Sequence, residues 1–241
     1  MSEINVHRHG GTLEIVLNRP EKMNALGASV VEALHETLDQ ADDDVIRLLV
    51  LRGEGRNFCA GFDFTGYEEQ SDGDLLRRFI RIEQLLQRVY HAKYDTMAFA
   101  HGRNFGAGVD LFAACNRRIS HPDASYKMPG LGFGLVLGTR RFASLAGASW
   151  AREILHDGVT FDAAQALDHN FATALLQREQ WPGQIVSVQK FACGISIDAA
   201  SRLFRVSRPD TRDADMAELV ASAARPGLLQ RLRDYRVAQG K

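Results

Sequence analysis

The chain of 241 residues is 45% apolar and 24% charged, with a formal net charge of −1. It is long enough to bury a substantial core, and no stretch is polar enough to stay disordered. Near-neutrality removes the electrostatic case for nucleic acid or an anionic membrane surface, and no run of about 18 apolar residues is present to span a bilayer.

The N-terminus has no basic segment leading into an apolar run, so no secretory signal is expected and the cytoplasm is the expected compartment. The three cysteines, Cys59, Cys115 and Cys193, are far apart and form no CxxC pair. Neither a disulfide framework nor a metal site is expected, and all three are read as core residues.

Alternating Leu13, Ile15 and Leu17 predict an early strand, broken by Arg19-Pro20-Glu21-Lys22. Ser29 with Glu32 three residues on resembles a capping box, followed by Val30, Ala33, Leu34 and Leu38 at helical spacing. Leu48 to Leu51 is apolar at every position, as a strand covered on both faces should be. A Gly-punctuated loop from Gly53 to Asp63 follows. Leu75, Phe79, Ile82, Leu86 and Val89 then predict an amphipathic helix with Arg77, Arg78, Arg81 and Arg88 mostly turned outward.

A third strand, Thr96 to Ala100, runs into Gly102-Arg103-Asn104-Phe105-Gly106-Ala107-Gly108, where a helix starts. A fourth strand near Arg118-Ile119-Ser120 precedes a glycine-rich loop from Gly130 to Gly138. From Thr139 helical patterns dominate. Sheet-forming sequence thus fills roughly residues 1–180 and the tail, 181–241, is helical. Strands alternating with helices predict an α/β layer structure.

Two turns carry the chemical signal. Phe58-Cys59-Ala60-Gly61-Phe62-Asp63 and Gly106-Ala107-Gly108-Val109-Asp110-Leu111 each follow a strand. Small residues allow close approach to the main chain, and in the second turn the amides belong to a helix N-terminus, where no carbonyl partner exists. Two N–H groups converging on one point make an oxyanion hole, and losing one such donor commonly lowers a rate by about 10²–10³. Other chemistries are weakly supported. Gly106 to Leu111 begins like a dinucleotide fingerprint but lacks its third glycine; no GK[ST] or GxSxG is present. Cys59 reads as a small buried hydrophobe, His7 and His9 as a solvated edge, and His101 as a hydrogen-bonded structural residue.

Taken together, these blocks resemble the enoyl-CoA hydratase/isomerase (crotonase) family. Leu17 to Leu26 looks like its "LNRPEKxNAL", Phe58 to Asp63 like "FCAGxD", and Gly102 to Leu111 with Ala114-Cys115-Asn116 like "nGxAxGGGxEL…aCD". Thr139 to Phe142 and Phe161 to Leu167 fit the downstream blocks. The order is kept from about residue 12 to about residue 176.

The resemblance implies a crotonase-like ββα spiral over residues 1–180 and a C-terminal helical trimerisation region over 181–241, assembled as a homotrimer or dimer of trimers. It tips the apolar stripes of the last helices, Met216 to Val220 and Leu228 to Leu232, toward an oligomer interface. It further implies an acyl-CoA substrate, with coenzyme A entering as part of the thioester and no tightly bound cofactor. The Phe62 and Ala107 amides would form the oxyanion hole. Lys22, Asn24, Ala25, Leu26, Ala60 and Gly61 fall where the family holds CoA.

Two departures bear on the reaction. The family's first catalytic glutamate is Asp110 here, which keeps the carboxylate on a shorter stem. The second normally follows a proline, but Pro129 is followed by Gly130, in a loop that is shorter than usual. Asp110 is therefore the expected acid/base, with isomerisation and other enolate chemistry favoured over two-glutamate hydration. Two alternatives remain at this level: Asp110 as a carboxylate that merely complements a helix dipole, and the whole chain as a catalytically degenerate paralogue that oligomerises and binds CoA.

Overall fold

A computed structural model describes residues 2–41 and 45–240. Strands β1 (Ile4–His9) and β2 (Thr12–Leu17) form an antiparallel pair. Helix α1 (Ala28–Asp39) leads to β3 (Leu48–Gly53), α2 (Asp72–Tyr90) and β4 (Asp95–Ala100). Next come β5 (Arg103–Phe105), α3 (Ala107–Ala113), β6 (Arg117–Ser120) and β7 (Ser125–Lys127). Then follow α4 (Thr139–Ala146), α5 (Ala148–Asp157), β8 (Thr160–Asp162), α6 (Ala163–Asp168) and β9 (Ala174–Leu175). The tail is α7 (Trp181–Cys193), α8 (Ile197–Val206), α9 (Arg212–Ala223) and α10 (Leu228–Ala238).

The main sheet runs β1-β2-β3-β4-β6-β9 and is parallel apart from β1. Its central strands are apolar throughout because both faces are covered. Leu49, Leu51, Ala98 and Ala100 pack with residues of α1, α2 and α3, whereas Leu48, Val50, Met97 and Phe99 pack with Trp181 and Val188 of α7. Each buried side chain of this size contributes roughly 1.5–3 kcal/mol relative to exposure. A second sheet, β5-β7-β8, was not foreseen. Its strands are three residues long, too short for periodicity to register.

Four sequence expectations need correction. Ser29 is not a cap: α1 begins at Ala28 with Gly27 as N-cap and no side-chain cap bond. A Cβ at Gly27 would sit 3.0 Å from Arg19 Nη1 and 3.3 Å from Asp63 Oδ2, so glycine fits there. A reciprocal cap of this kind opens α2 instead, at Ser71 and Asp74. Arg78 turns inward rather than out, onto the turn that carries Phe62. Cys193 is exposed, because α7 buries only Trp181 and Val188. The stripes of α9 and α10 are intramolecular core, since Leu219, Leu228 and Leu232 are fully buried within the chain. Exposed apolar side chains cluster on α7 and α8, where Phe191, Leu203 and Val206 face outward, and Val237 is exposed near the end of α10. Among the described residues no helix is long and apolar enough to cross a membrane.

Candidate active site

The loops that leave β2, β3 and β4 meet at the carboxyl ends of these parallel strands, the usual place for a site in an open α/β sheet. They meet through their main chains. A Cβ at Gly61 (φ +75°) would overlap the Phe105 carbonyl and lie 2.9 Å from the Ala107 nitrogen. A Cβ at Gly108 would overlap the Cys59 carbonyl, and the Phe105 amide donates to that same oxygen at 3.2 Å. The small residues that the sequence suggested were there for a ligand are needed first so that the two turns can interlock.

This interlock fixes Phe62 beside Ala107. Leu26 N–H donates to Gly61 O at 2.7 Å, and Asp63 N–H donates to Leu26 O at 3.4 Å. These bonds make a single parallel bridge between Leu26 and Phe62. In such a bridge the central residue's own N–H points away from its partner, and that of Phe62 meets no protein acceptor among the described residues. Ala107 is the first residue of α3; Val109 and Asp110 both donate to Gly106 O, whereas the Ala107 amide likewise has no protein acceptor.

Both residues line a cavity of about 720 Å³ that also contains Asp110. Among the expected CoA-contacting residues, Lys22, Ala25 and Ala60 line it too. Asn24, Leu26 and Gly61 do not; they hold the turns behind it. The Asn24 side chain donates to Glu54 O (2.9 Å) and Asn57 O (2.8 Å) and accepts from Arg19 N (2.9 Å). Asn24 is also left-handed, with φ 55°, a conformation asparagine tolerates better than most residues.

Asp110 is 2% exposed, and its Oδ1 is buried without a hydrogen-bond partner. Burial pushes its carboxyl well above the usual range; the Arg141 guanidinium opposes the shift and the Glu83 carboxylate adds to it. Asp63 also borders the cavity, but its carboxylate accepts from Arg19 Nη1 (2.9 Å) and the Thr65 amide (2.9 Å). Against the cost of burial, these partners hold it below the usual range. Gly130 lines the cavity where a second acid was expected to be missing, and contributes no side chain.

Cys59 and His101 do not line the cavity. The Cys59 thiol donates to Asn24 O at 3.1 Å, and burial pushes it up to about 12, so it is no nucleophile. His101 Nε2 lies 3.1 Å from Gly55 O. A carbonyl only accepts, so this nitrogen carries the proton.

One wall escaped the sequence reading. Tyr235 and Arg236 of α10 and Gln239 just beyond it line the cavity. Helix α10 is seated from afar: the Asp72 carboxylate accepts from the Gly227, Leu228 and Leu229 amides at 2.9, 3.1 and 2.8 Å. Arg231 donates to Phe133 O at 2.8 Å. Only Gly227 ahead of the helix is a local signal; the contacts across the chain leave none. Phe105, Lys127 and Thr160, neighbours in the small sheet, line the cavity as well.

Known proteins resemble this chain in sequence and in fold. The model of the enoyl-CoA hydratase/isomerase family matches residues 7–216. A candidate enoyl-CoA hydratase/isomerase of Bordetella parapertussis is 50% identical over 97% of this chain and 98% of its own, with a TM-score of 0.95. The probable enoyl-CoA hydratase echA6 of Mycobacterium leprae is 31% identical over 78% of each chain. A candidate enoyl-CoA hydratase of Thermobifida fusca YX, solved in complex with acetoacetyl-CoA, shares the fold at 22% identity and a TM-score of 0.78, over 96% of this chain and 95% of its own. With the family model spanning most of its length and the turn blocks in register, this chain belongs to the enoyl-CoA hydratase/isomerase family.

Proposed function

We propose that the cavity takes an acyl-CoA thioester and stabilises the enolate formed from it. Two main-chain donors without protein acceptors share one cavity with a buried carboxyl group, and this observation carries the proposal. The thioester oxygen sits between the Phe62 and Ala107 amides. Negative charge that builds there as the α-carbon loses a proton is met by these two N–H donors. Lys22, Ala25 and Ala60, which line the cavity, flank the CoA portion; the Thermobifida fusca protein of the same fold was solved with acetoacetyl-CoA.

Asp110 is the acid/base. It lies in the cavity with Oδ1 free of protein partners, and its raised affinity for a proton moves it toward the neutral range where proton transfer is most effective. With Gly130 in place of a second acid, one carboxyl group moves one proton. That stoichiometry suits a shift of a proton between carbons of an enolate better than activation of water.

The exposed apolar side chains Phe191, Leu203 and Val206 on α7 and α8 support self-association as a trimer, alone or paired. Sedimentation of the full chain tests this, and a monomer at micromolar concentration would exclude it. For the reaction, wild type and Asp110→Asn are compared on a panel of enoyl- and acyl-CoA thioesters. The expected result is turnover by the wild type and little by the variant. Tight CoA binding without turnover by the wild type would instead identify a non-catalytic paralogue.

A further inference from the structure

We propose that Arg78 is a positioning residue for the Phe62 main-chain donor; the proposal rests on the oxyanion-hole reading above. The Phe62 amide belongs to the peptide that joins it to Gly61, and Gly61 has φ +75°. Glycine lets such a peptide rotate with little steric opposition, so the direction of the N–H depends on what holds each side. On one side Leu26 N–H holds the Gly61 carbonyl at 2.7 Å. On the other side, Arg78 grips the Phe62 ring and the Asp63 carbonyl.

Arg78 reaches in from α2, a long helix with a complete cap at Ser71 and Asp74. Its Nη2 donates to Asp63 O at 2.6 Å, and its Cζ lies 4.0 Å from the centroid of the Phe62 ring. The adjacent helix residue Phe79 stacks on that same ring, at 4.5 Å and 21°. A charge-assisted bond to the next residue's carbonyl and a cation over the side chain together clamp the turn on the side of Phe62 away from Gly61. Its remaining bond is from Nη1 to Gln70 Oε1 at 3.2 Å, and its Nε is buried without a partner. A half-buried guanidinium whose hydrogen-bond partners are all neutral is an expensive element of a fold. Here its contacts converge on one donor turn. Arg81, one turn further along α2, contrasts with it: that residue makes a forked pair with Glu32 (2.7 and 2.6 Å) and a bond to Gln84, and none to the Phe62 turn.

The test uses full-length protein and acetoacetyl-CoA, whose enolate form is read by its near-ultraviolet absorbance. Wild type should bind the ligand with the enolate band raised. Arg78→Met and Arg78→Lys should each lower the bound enolate-to-ketone ratio about tenfold, less than the loss of a whole donor. Affinity for CoA itself should stay within about threefold, because CoA has no carbonyl in the hole. Arg81→Met should keep the wild-type band. Should Arg78→Met fail to fold, Arg78→Lys, which keeps the cation and loses the fork, decides. A folded Arg78 variant with the wild-type band overturns the positioning role while leaving the hole intact. Absence of the band in wild type overturns the oxyanion-hole reading and this proposal with it.

Discussion

Gly138 lies directly against Asp110: a Cβ on Gly138 would stand 2.5 Å from Asp110 Cγ. Gly138 is left-handed, with φ +65°, and immediately precedes α4. Gly138→Ala therefore combines backbone strain of about 1–2 kcal/mol with a displaced carboxyl group. Turnover on the best thioester of the panel should fall at least about tenfold, with a lower melting temperature. Wild-type turnover in a folded Gly138→Ala protein would mean that Asp110 does not act from its present position.

Asp110→Asn should lower turnover by about 10²–10⁴, the usual worth of a placed acid/base. Its stability profile gives a second readout. The folded carboxyl titrates above its unfolded value near 4, mainly because of burial. The folded state therefore holds the proton more tightly, and the Asp110 carboxyl contributes stability that is lost as pH rises from about 4 through the raised folded value. Denaturant unfolding across that window should show this loss as a stability difference between wild type and Asp110→Asn that shrinks as pH rises, a comparison in which the opposite contribution of His101 cancels.

Glu83 and Arg141 form a forked pair at 3.0 and 2.6 Å, and both side chains are only 1% exposed. Removing Glu83 leaves the buried Arg141 charge with only the longer contact to Asp215, at 3.8 Å. Glu83→Gln should cost about 3–5 kcal/mol. Replacing both, as Glu83→Gln with Arg141→Met, should recover much of that loss by chemical denaturation. If the single and double variants are equally unstable, the pair is not the origin of the effect. Glu83 also raises Asp110's proton affinity, so a folded Glu83→Gln protein should show its carboxyl limb at lower pH.

His101 is pushed down to about 4, chiefly by burial and secondarily by the Arg178 charge. A depressed base contributes stability that is present above its unfolded value and lost as pH falls toward the folded one. Stability should decline between about pH 6.5 and the folded value by at most about 1.4 kcal/mol per pH unit. His101→Gln should flatten that slope. An unchanged slope would assign the acid sensitivity elsewhere.

The parts of the fold that could be seen in the sequence are those written in local pattern. Leu48 to Leu51 and Thr96 to Ala100 announce strands covered on both faces, and Leu75 to Val89 announces α2. The turns at Gly61 and Gly106 stand out because glycine follows a strand in each. What could not be seen depends on distant partners. Ser29 followed by Glu32 has the spacing of a cap, but Leu26 is already tied to the Phe62 turn and the helix starts earlier. Arg78 falls on the polar side of a helical wheel, and only the turn folded over it draws it inward. The stripe of α10 buries itself on its own chain because Asp72, far away in sequence, holds its first amides.

The wedge between Gly61 and Gly108 is made of backbone alone, and this separates what is fixed in the molecule from what is free. Neither donor amide depends on the identity of a side chain in the apolar end of the chamber. Leu131, Leu137 and Leu155, which border that end, can be exchanged without disturbing the wedge. A library restricted to these three positions should therefore redirect acyl preference among folded variants, whereas one that varies Gly61 or Gly108 should yield mostly insoluble protein.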